Sequence, residues 1–180
     1  MVAAAVASAE LDAWAPDDVG QQALKHALLA FLDARPDGCD RSCVPGHLTA
    51  SALVVDAAGK NAVLTLHSRV KRWLQVGGHC EPDDPSLVAA ALREATEESG
   101  IEGLVIDREP LRVDVHPITC SLGVPTRHLD VQFLVRAPAG AEPVISDESD
   151  DLRWWPLGAL PTEDASVLAL AAAAAQRLHG

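Results

Sequence analysis

Tyrosine is missing from the 180-residue chain, and only two phenylalanines and four tryptophans supply aromatic surface. A platform for stacking a flat ligand must therefore come mostly from Trp, or from apolar and arginine surfaces. Basic residues are scarce as well: 14 Lys and Arg face 26 Asp and Glu, a formal net charge of −12. Such a surface repels phosphodiester backbones, which excludes a general nucleic-acid binder. A phosphate-bearing small molecule is admitted only if cations mediate the contact. No apolar run approaches the roughly 20 residues that span a bilayer, so no membrane role is expected. The opening MVAAAVASAE is apolar and small but lacks the basic start of a signal peptide, and it reads as an ordinary N-terminus. Cysteines are few, at positions 39, 43, 80 and 120. Reduced thiols and a cytoplasmic setting are the expectation.

What is present suits one domain over residues 1–180 with a sizeable core. Asp17 and Asp18 offer caps for a helix VGQQALKHALLAFLDA, with Val19, Ala23, Leu24, Ala27, Leu28, Phe31 and Leu32 along one face. Residues 1–40 are read as this helix and loop packing on the main body, the loop stretch RPDGCDRSCVPG running on to residue 46. HLTASALVVD and NAVLTLHS flank AAGK as a hairpin, and LRVDVHPIT and RHLDVQFLVRA alternate as strands. In the second of these, Leu129, Val131, Phe133 and Val135 face one way, and His128, Asp130 and Gln132 the other. Residues 162–180 hold a docking helix with Val167, Leu168, Leu170, Ala171, Ala174 and Leu178 on its apolar face. Strands and helices do not alternate regularly, so the fold class is α/β of the α+β kind, a mixed sheet with helices on both faces.

Residues 77–101 read GGHCEPDDPSLVAAALREATEESGI. Asp84 is placed to cap a helix, Pro85 suits its first position, and Gly100 suits a left-handed stop. Val88, Ala91, Leu92 and Ala95 form the stripe to be buried. Beside it, Glu94, Glu97 and Glu98 share an arc of roughly 100°. Like charges at that spacing repel, and the last turn of a helix disfavours anions. A cation reverses both penalties. Three hard oxygen ligands on one element suit Mg²⁺ or Mn²⁺, and Arg93, four residues before Glu97, can orient it by a charge-assisted bond.

The run resembles the Nudix box: Gly, five residues, Glu, seven residues, then Arg-Glu-apolar-x-Glu-Glu-x-Gly-apolar. Arg93 through Ile101 fill its second half without a gap, whereas Gly78 matches the first Gly only with one inserted residue, leaving Asp84 at the first acidic position. GHLTASALVV, WLQVGGH and LRWWPLGALP also look like the flanks of bacterial Nudix hydrolases. The resemblance implies an α/β/α sandwich and hydrolysis of a nucleoside diphosphate linked to another moiety. It implies Glu94, Glu97 and Glu98 as metal ligands, the Gly78 carbonyl as a further one, and Arg93 as their orienting residue. A glutamate ahead of a downstream Trp often serves as base or metal ligand in this family; Glu148 is best placed, with Glu142 and Asp147 behind it. The expected partner is a small nucleotide, and the family also admits a homodimer. Two rival readings are a ligand-sensing Nudix module without turnover and isopentenyl-diphosphate isomerase; the second needs a catalytic cysteine whose motif is not found.

His67, His79, His116, His128 and Asp130 invite a zinc site, but no tight ligand spacing links them. They are read as polar residues lining a substrate cleft, with His79 and His128 as contacts. Cys39 and Cys43 stand four apart, wider than usual zinc pairs. Arg69, Lys71 and Arg72 are candidates for neutralising a substrate phosphate, and Trp73 and Trp155 for stacking on a base. Trp154 and Trp155 are neighbours on a strand, so one is expected inside and the other outside.

Overall fold

Two helices, not one, precede the first strand. The computed structural model describes residues 2–119, 123–145 and 149–180. In it MVAAAVASAE is no loose end: most of it forms α1 (Ala4–Ala13), which inserts Ala7 and Leu11 into the core, with Trp14 buried just beyond. Lys25 donates to the carbonyls of Asp12 and Trp14 at 2.7 and 2.6 Å, placing a cation on the negative end of α1. That lysine belongs to α2 (Val19–Ala34), whose bounds match the sequence pattern and whose N-cap is Asp18, accepting from the Gln21 N–H. The buried stripe of α2 differs from the expected one. Val19 is 77% exposed and Ala23 and Ala27 are also outside, while Leu24, Leu28, Phe31 and Leu32 face inward.

The sheet is built around β1 (His47–Val55), buried along its whole length. It pairs antiparallel with β2 (Asn61–His67). Beyond β2 lies β3 (Trp73–Leu74), and β4 (Val76–His79) joins β1 antiparallel. After α3 (Leu87–Ser99) come β5 (Val105–Ile106), β6 (Arg112–Thr119) and β7 (Pro125–Arg136). β7 runs parallel to β1 and antiparallel to both β5 and β6. Finally β8 (Ser149–Pro156) pairs with β2, and α4 (Ala165–His179) closes the chain. A parallel β1–β7 pair inside an otherwise antiparallel arrangement makes the sheet mixed, as expected.

Each face of β1 carries a different burden, because successive side chains point to opposite sides. Leu48 and Ala50, with Val131 and Phe133 of β7, pack against α1, α2 and the Leu87–Ala91 part of α3. On the opposite face Leu53, Val55 and Leu134 lie under α4, together with Val167, Leu170, Ala171 and Ala174. Leu168, expected on that buried stripe, is instead 44% exposed. The α4-side face changes character along the strands: beyond Leu53 it carries Ser51, Thr49 and His47, and beyond Leu134 it carries Gln132, Asp130 and His128.

The start of α3 also departs from expectation. Ser86, not Asp84, is the N-cap, its hydroxyl accepting from the Ala89 N–H at 3.1 Å, so Pro85 lies outside the helix. The next free donors, Leu87 N–H and Val88 N–H, are taken by the Glu10 carboxylate of α1 at 2.8 and 3.3 Å. Gly100 ends the helix at φ +64°, the left-handed turn that its lack of Cβ allows.

Candidate active site

β4 and the second half of α3 meet side by side, and glycine is what lets them. Gly77 sits at φ +150°, where an added Cβ would lie 2.3 Å from the Ser51 Cβ. On the other face of the strand, a Cβ on Gly78 would come within 2.6 Å of Glu94 Oε1. Glu94 therefore rests its carboxylate directly against the Gly78 backbone. Glu98, one helical turn on, accepts the Gly77 N–H at 2.9 Å. Glu97 points further out, with its side chain 59% exposed.

Arg93 organises this cluster. Its Nη1 donates to both Glu94 Oε1 and Glu97 Oε2 at 3.0 Å, and its Nη2 donates to the His79 carbonyl at 2.9 Å. The rest of the guanidinium is held by Asp84, at 3.1 and 2.9 Å. Asp84 is thus an anchor for Arg93 and not a helix cap. Burial pushes the Asp84 carboxyl up, but the bonds from Arg93 and the Glu81 N–H outweigh it and hold the group below its usual range. Glu94 goes the opposite way: burial raises its carboxyl, the Arg93 charge opposes this, and the neighbouring charges of Glu97 and Glu81 add to it. An anion made costly by burial and by like charge is relieved by a cation. The hard oxygen donors of Glu94, Glu97 and Glu98, beside the two glycines of β4, suit a Mg²⁺- or Mn²⁺-type ion by their chemistry.

Other residues singled out from the sequence are scattered. Glu148 and Asp147 lie outside the described residues, as does Cys120. Glu142 lines a shallow depression of about 300 Å³ with Asp56, Asn61 and Trp154. Arg69 is exposed; Arg72 is tied to Asp164 at 2.7 Å, and Lys71 to Asp150 at 2.6 Å. Trp154 and Trp155 are both half-buried, against the expectation of one inside and one outside. Trp154 donates its ring N–H to the Ala141 carbonyl, whereas Trp155 meets Trp73 edge-on at 5.2 Å, with Arg153 over both rings at 5.8 Å.

The polar half of the α4-side face converges on Asp130. This buried carboxylate accepts from Ser51 at 2.6 Å, Thr49 at 2.9 Å and Gln132 at 3.0 Å, and Gln75 reaches it at 3.4 Å. Next along the strands, His47, His79 and His128 offer ligand atoms that all lie within 4.8 Å of one another. Among the described residues this is the group of three that gathers so closely. His67 is not part of it, and His47 is a member that the sequence reading missed. The signal was its place opposite His128 in the parallel register, which no local pattern reveals. Burial, followed by neighbouring imidazoles, pushes His128 down to about 3. Burial does the same to His79, to about 4, and lowers His47. His116 is raised, because its Nδ1 meets Asp114 at 2.9 Å.

Among the described residues Cys39, Cys43 and Cys80 are free, buried thiols. Burial lifts Cys39 to about 11 and Cys80 to about 12 and raises Cys43 as well, which disfavours the thiolate at each.

The model of the NUDIX domain matches residues 45–175. The chain belongs to the Nudix family. Members of this family of hydrolases act on nucleoside diphosphate-linked substrates. Solved Nudix structures share the fold. The Ap4A hydrolase of C. elegans superposes with a TM-score of 0.58 at 23% identity, covering 73% of this chain and 96% of that one. A MutT protein from Methanosarcina mazei Go1 gives 0.60 at 20% identity, covering 76% and 97%. A UDP-X diphosphatase gives 0.54 at 16% identity but covers 96% of this chain and 92% of its own, so the match extends over the N-terminal helices. No curated protein sequence matches the chain. Within the matched span, Arg93, Glu94, Glu97 and Glu98 sit on α3 and Gly78 on β4, the strand before it.

Proposed function

We propose that this Nudix protein is a divalent-cation-dependent pyrophosphohydrolase, cleaving the diphosphate of a nucleoside diphosphate linked to another moiety. The observation that carries the reading is the Glu94 carboxylate seated against Gly78, with Glu98 on the Gly77 N–H and Arg93 clamping Glu94 and Glu97 together. Glu94, Glu97, Glu98 and the Gly78 carbonyl would hold Mg²⁺ or Mn²⁺, which, when bound, neutralises diphosphate charge and lowers the pKa of a coordinated water.

The chain's own residues do the rest. Asp84 holds Arg93, and Arg93 holds Glu94 and Glu97 at fixed separation, so the carboxylates are arranged before substrate arrives. Missing Cβ atoms at Gly77 and Gly78 let β4 lie against Ser51 on one side and seat the Glu94 carboxylate on the other. Glu148 is our candidate for the base that takes the proton from the attacking water. Trp155, with Trp73 and Arg153, offers the stacking surface for a base, and His79, His128 and Arg69 are candidate phosphate or ribose contacts. Free buried thiols accord with the cytoplasm as the working compartment.

The test is a substrate panel with Mg²⁺ or Mn²⁺: ADP-ribose, NADH, dinucleoside polyphosphates, CoA and oxidised dNTPs, read as released nucleoside monophosphate or phosphate. Dinucleoside polyphosphates belong in it because an Ap4A hydrolase shares the fold. Turnover on at least one compound, abolished by chelation, is the expected result. No metal-dependent turnover on any of them would overturn the hydrolase reading in favour of a sensing module.

A further inference from the structure

We propose that His47, His79 and His128 form a second metal site, separate from the glutamate cluster, that takes a borderline transition cation of the Zn²⁺ class. The three rings stand in a near-equilateral triangle, with centroids 5.0, 5.0 and 5.1 Å apart. Their ligand atoms already lie within 4.8 Å of one another. A tetrahedral ion about 2.0–2.1 Å from each nitrogen needs donors roughly 3.3 Å apart, a contraction that small side-chain rotations supply.

The orientation of the rings is the second observation. The Nε2 atoms of His47 and His128 are buried with no hydrogen-bond partner. His47 is itself only 1% exposed, so this is a nitrogen deep in the protein. On the other side of that ring, Nδ1 lies 3.5 Å from the Cys43 carbonyl, an acceptor that favours the proton there and leaves the Nε2 lone pair for the ion. His116 stands behind His128 at 5.4 Å, its Nδ1 engaged by Asp114.

Strand register makes the site rigid. His47 is paired with His128 across the parallel β1–β7 ladder, and His79 pairs with Thr49, next along the same face of β1. Three donors, one on β1 and one on each of the two strands bonded to it, cannot drift apart as loop ligands can. β4 also separates the two sites. Gly78 turns to Glu94 on the α3 side, while His79 joins the imidazoles on the α4 side. Hard oxygens suit Mg²⁺ or Mn²⁺, and neutral imidazoles suit Zn²⁺, so the two clusters select different ions. Three protein nitrogens leave a fourth position for water or a ligand oxygen.

The experiment uses the full chain, stripped of metal by chelation and titrated with Co²⁺, whose visible absorption reports a tetrahedral nitrogen environment. One Co²⁺ per chain is expected, displaced by Zn²⁺ but not by excess Mg²⁺, and retained in Glu97→Gln. His79→Gln and His128→Gln, each checked for native circular dichroism, should bind at least about 100-fold more weakly, beyond the 10–100-fold effect of losing an outer-shell partner. X-ray absorption of the Zn²⁺-loaded wild-type chain needs no variant and should show three imidazole nitrogens. Absence of Co²⁺ binding, unchanged binding in both histidine variants, a signal lost in Glu97→Gln alone, or an oxygen-only shell would each overturn the site.

Discussion

Arg93 and Asp84 form a two-point pair, Nε to Oδ1 at 3.1 Å and Nη2 to Oδ2 at 2.9 Å, with the Asp84 side chain 6% exposed. Neutralising Asp84 removes the most buried carboxylate on Arg93 and leaves Glu94 and Glu97 on the guanidinium. Asp84→Asn should therefore cost about 1.5–3 kcal/mol, the range for a hydrogen bond to a charged group, read by urea denaturation. It should also lower kcat more than it changes KM, since Arg93 loses the anchor that sets Glu94 and Glu97. Wild-type stability together with wild-type turnover would show that the anchor is dispensable.

Glu98→Gln separates chemistry from folding. The amide oxygen can still accept the Gly77 N–H, so the thermal midpoint should barely move. Turnover should fall at least about 100-fold, because a charged ligand is gone. Glu97→Gln should behave alike. Full activity in either variant would remove that residue from the cation site.

Gly78→Ala tests the close approach of strand and helix. Its new Cβ would sit 2.6 Å from Glu94 Oε1, forcing Glu94 or β4 to shift. A loss of about 1–3 kcal/mol is expected, together with loss of turnover. Calorimetry and the substrate panel check both. An active, fully stable Ala variant would mean that Glu94 does not depend on this contact.

Glu10 joins the N-terminal helix to the functional one. It accepts from Leu87 N–H and Val88 N–H and places a negative charge at the start of α3. Glu10→Ala should cost about 1 kcal/mol, within the range for lost caps. Amide exchange at positions 87 and 88 should quicken in the variant; unchanged exchange would argue against the cap.

Thiol chemistry follows from burial. With Cys39 raised to about 11 and Cys80 to about 12, almost no thiolate exists at pH 8. Iodoacetamide should leave both unlabelled in the native protein at that pH and modify them only in denaturant, as peptide mass spectrometry would record. Raising the pH to 9 changes little, because both values still lie above it. Rapid native labelling would contradict the packing around them.

Local patterns carried much of the fold. The bounds of α2, the strands β1, β2, β6 and β7, the left-handed stop at Gly100 and the crowding of Glu94, Glu97 and Glu98 are all short-range signals. Helix α1 was hidden because an alanine-rich run with weak amphipathy resembles an unremarkable terminus; burial of Leu11 and Trp14 against the body makes it a helix. Asp84 looked like a cap because Asp-Pro ahead of an apolar run commonly is one. Its real partner, Arg93, is nine residues away and comes into reach only once the loop folds back.

The sequence by itself determined that Glu94, Glu97 and Glu98 share one face of α3, because a helix of period 3.6 places them together whatever surrounds it. Tertiary structure alone decided what gathers on the opposite, α4-side face of the sheet. Pairing of β1 with β4 and β7 brought His47, His79 and His128 together from segments that share no local pattern. Strand register is set by burial over the whole sheet, and no window of sequence contains it.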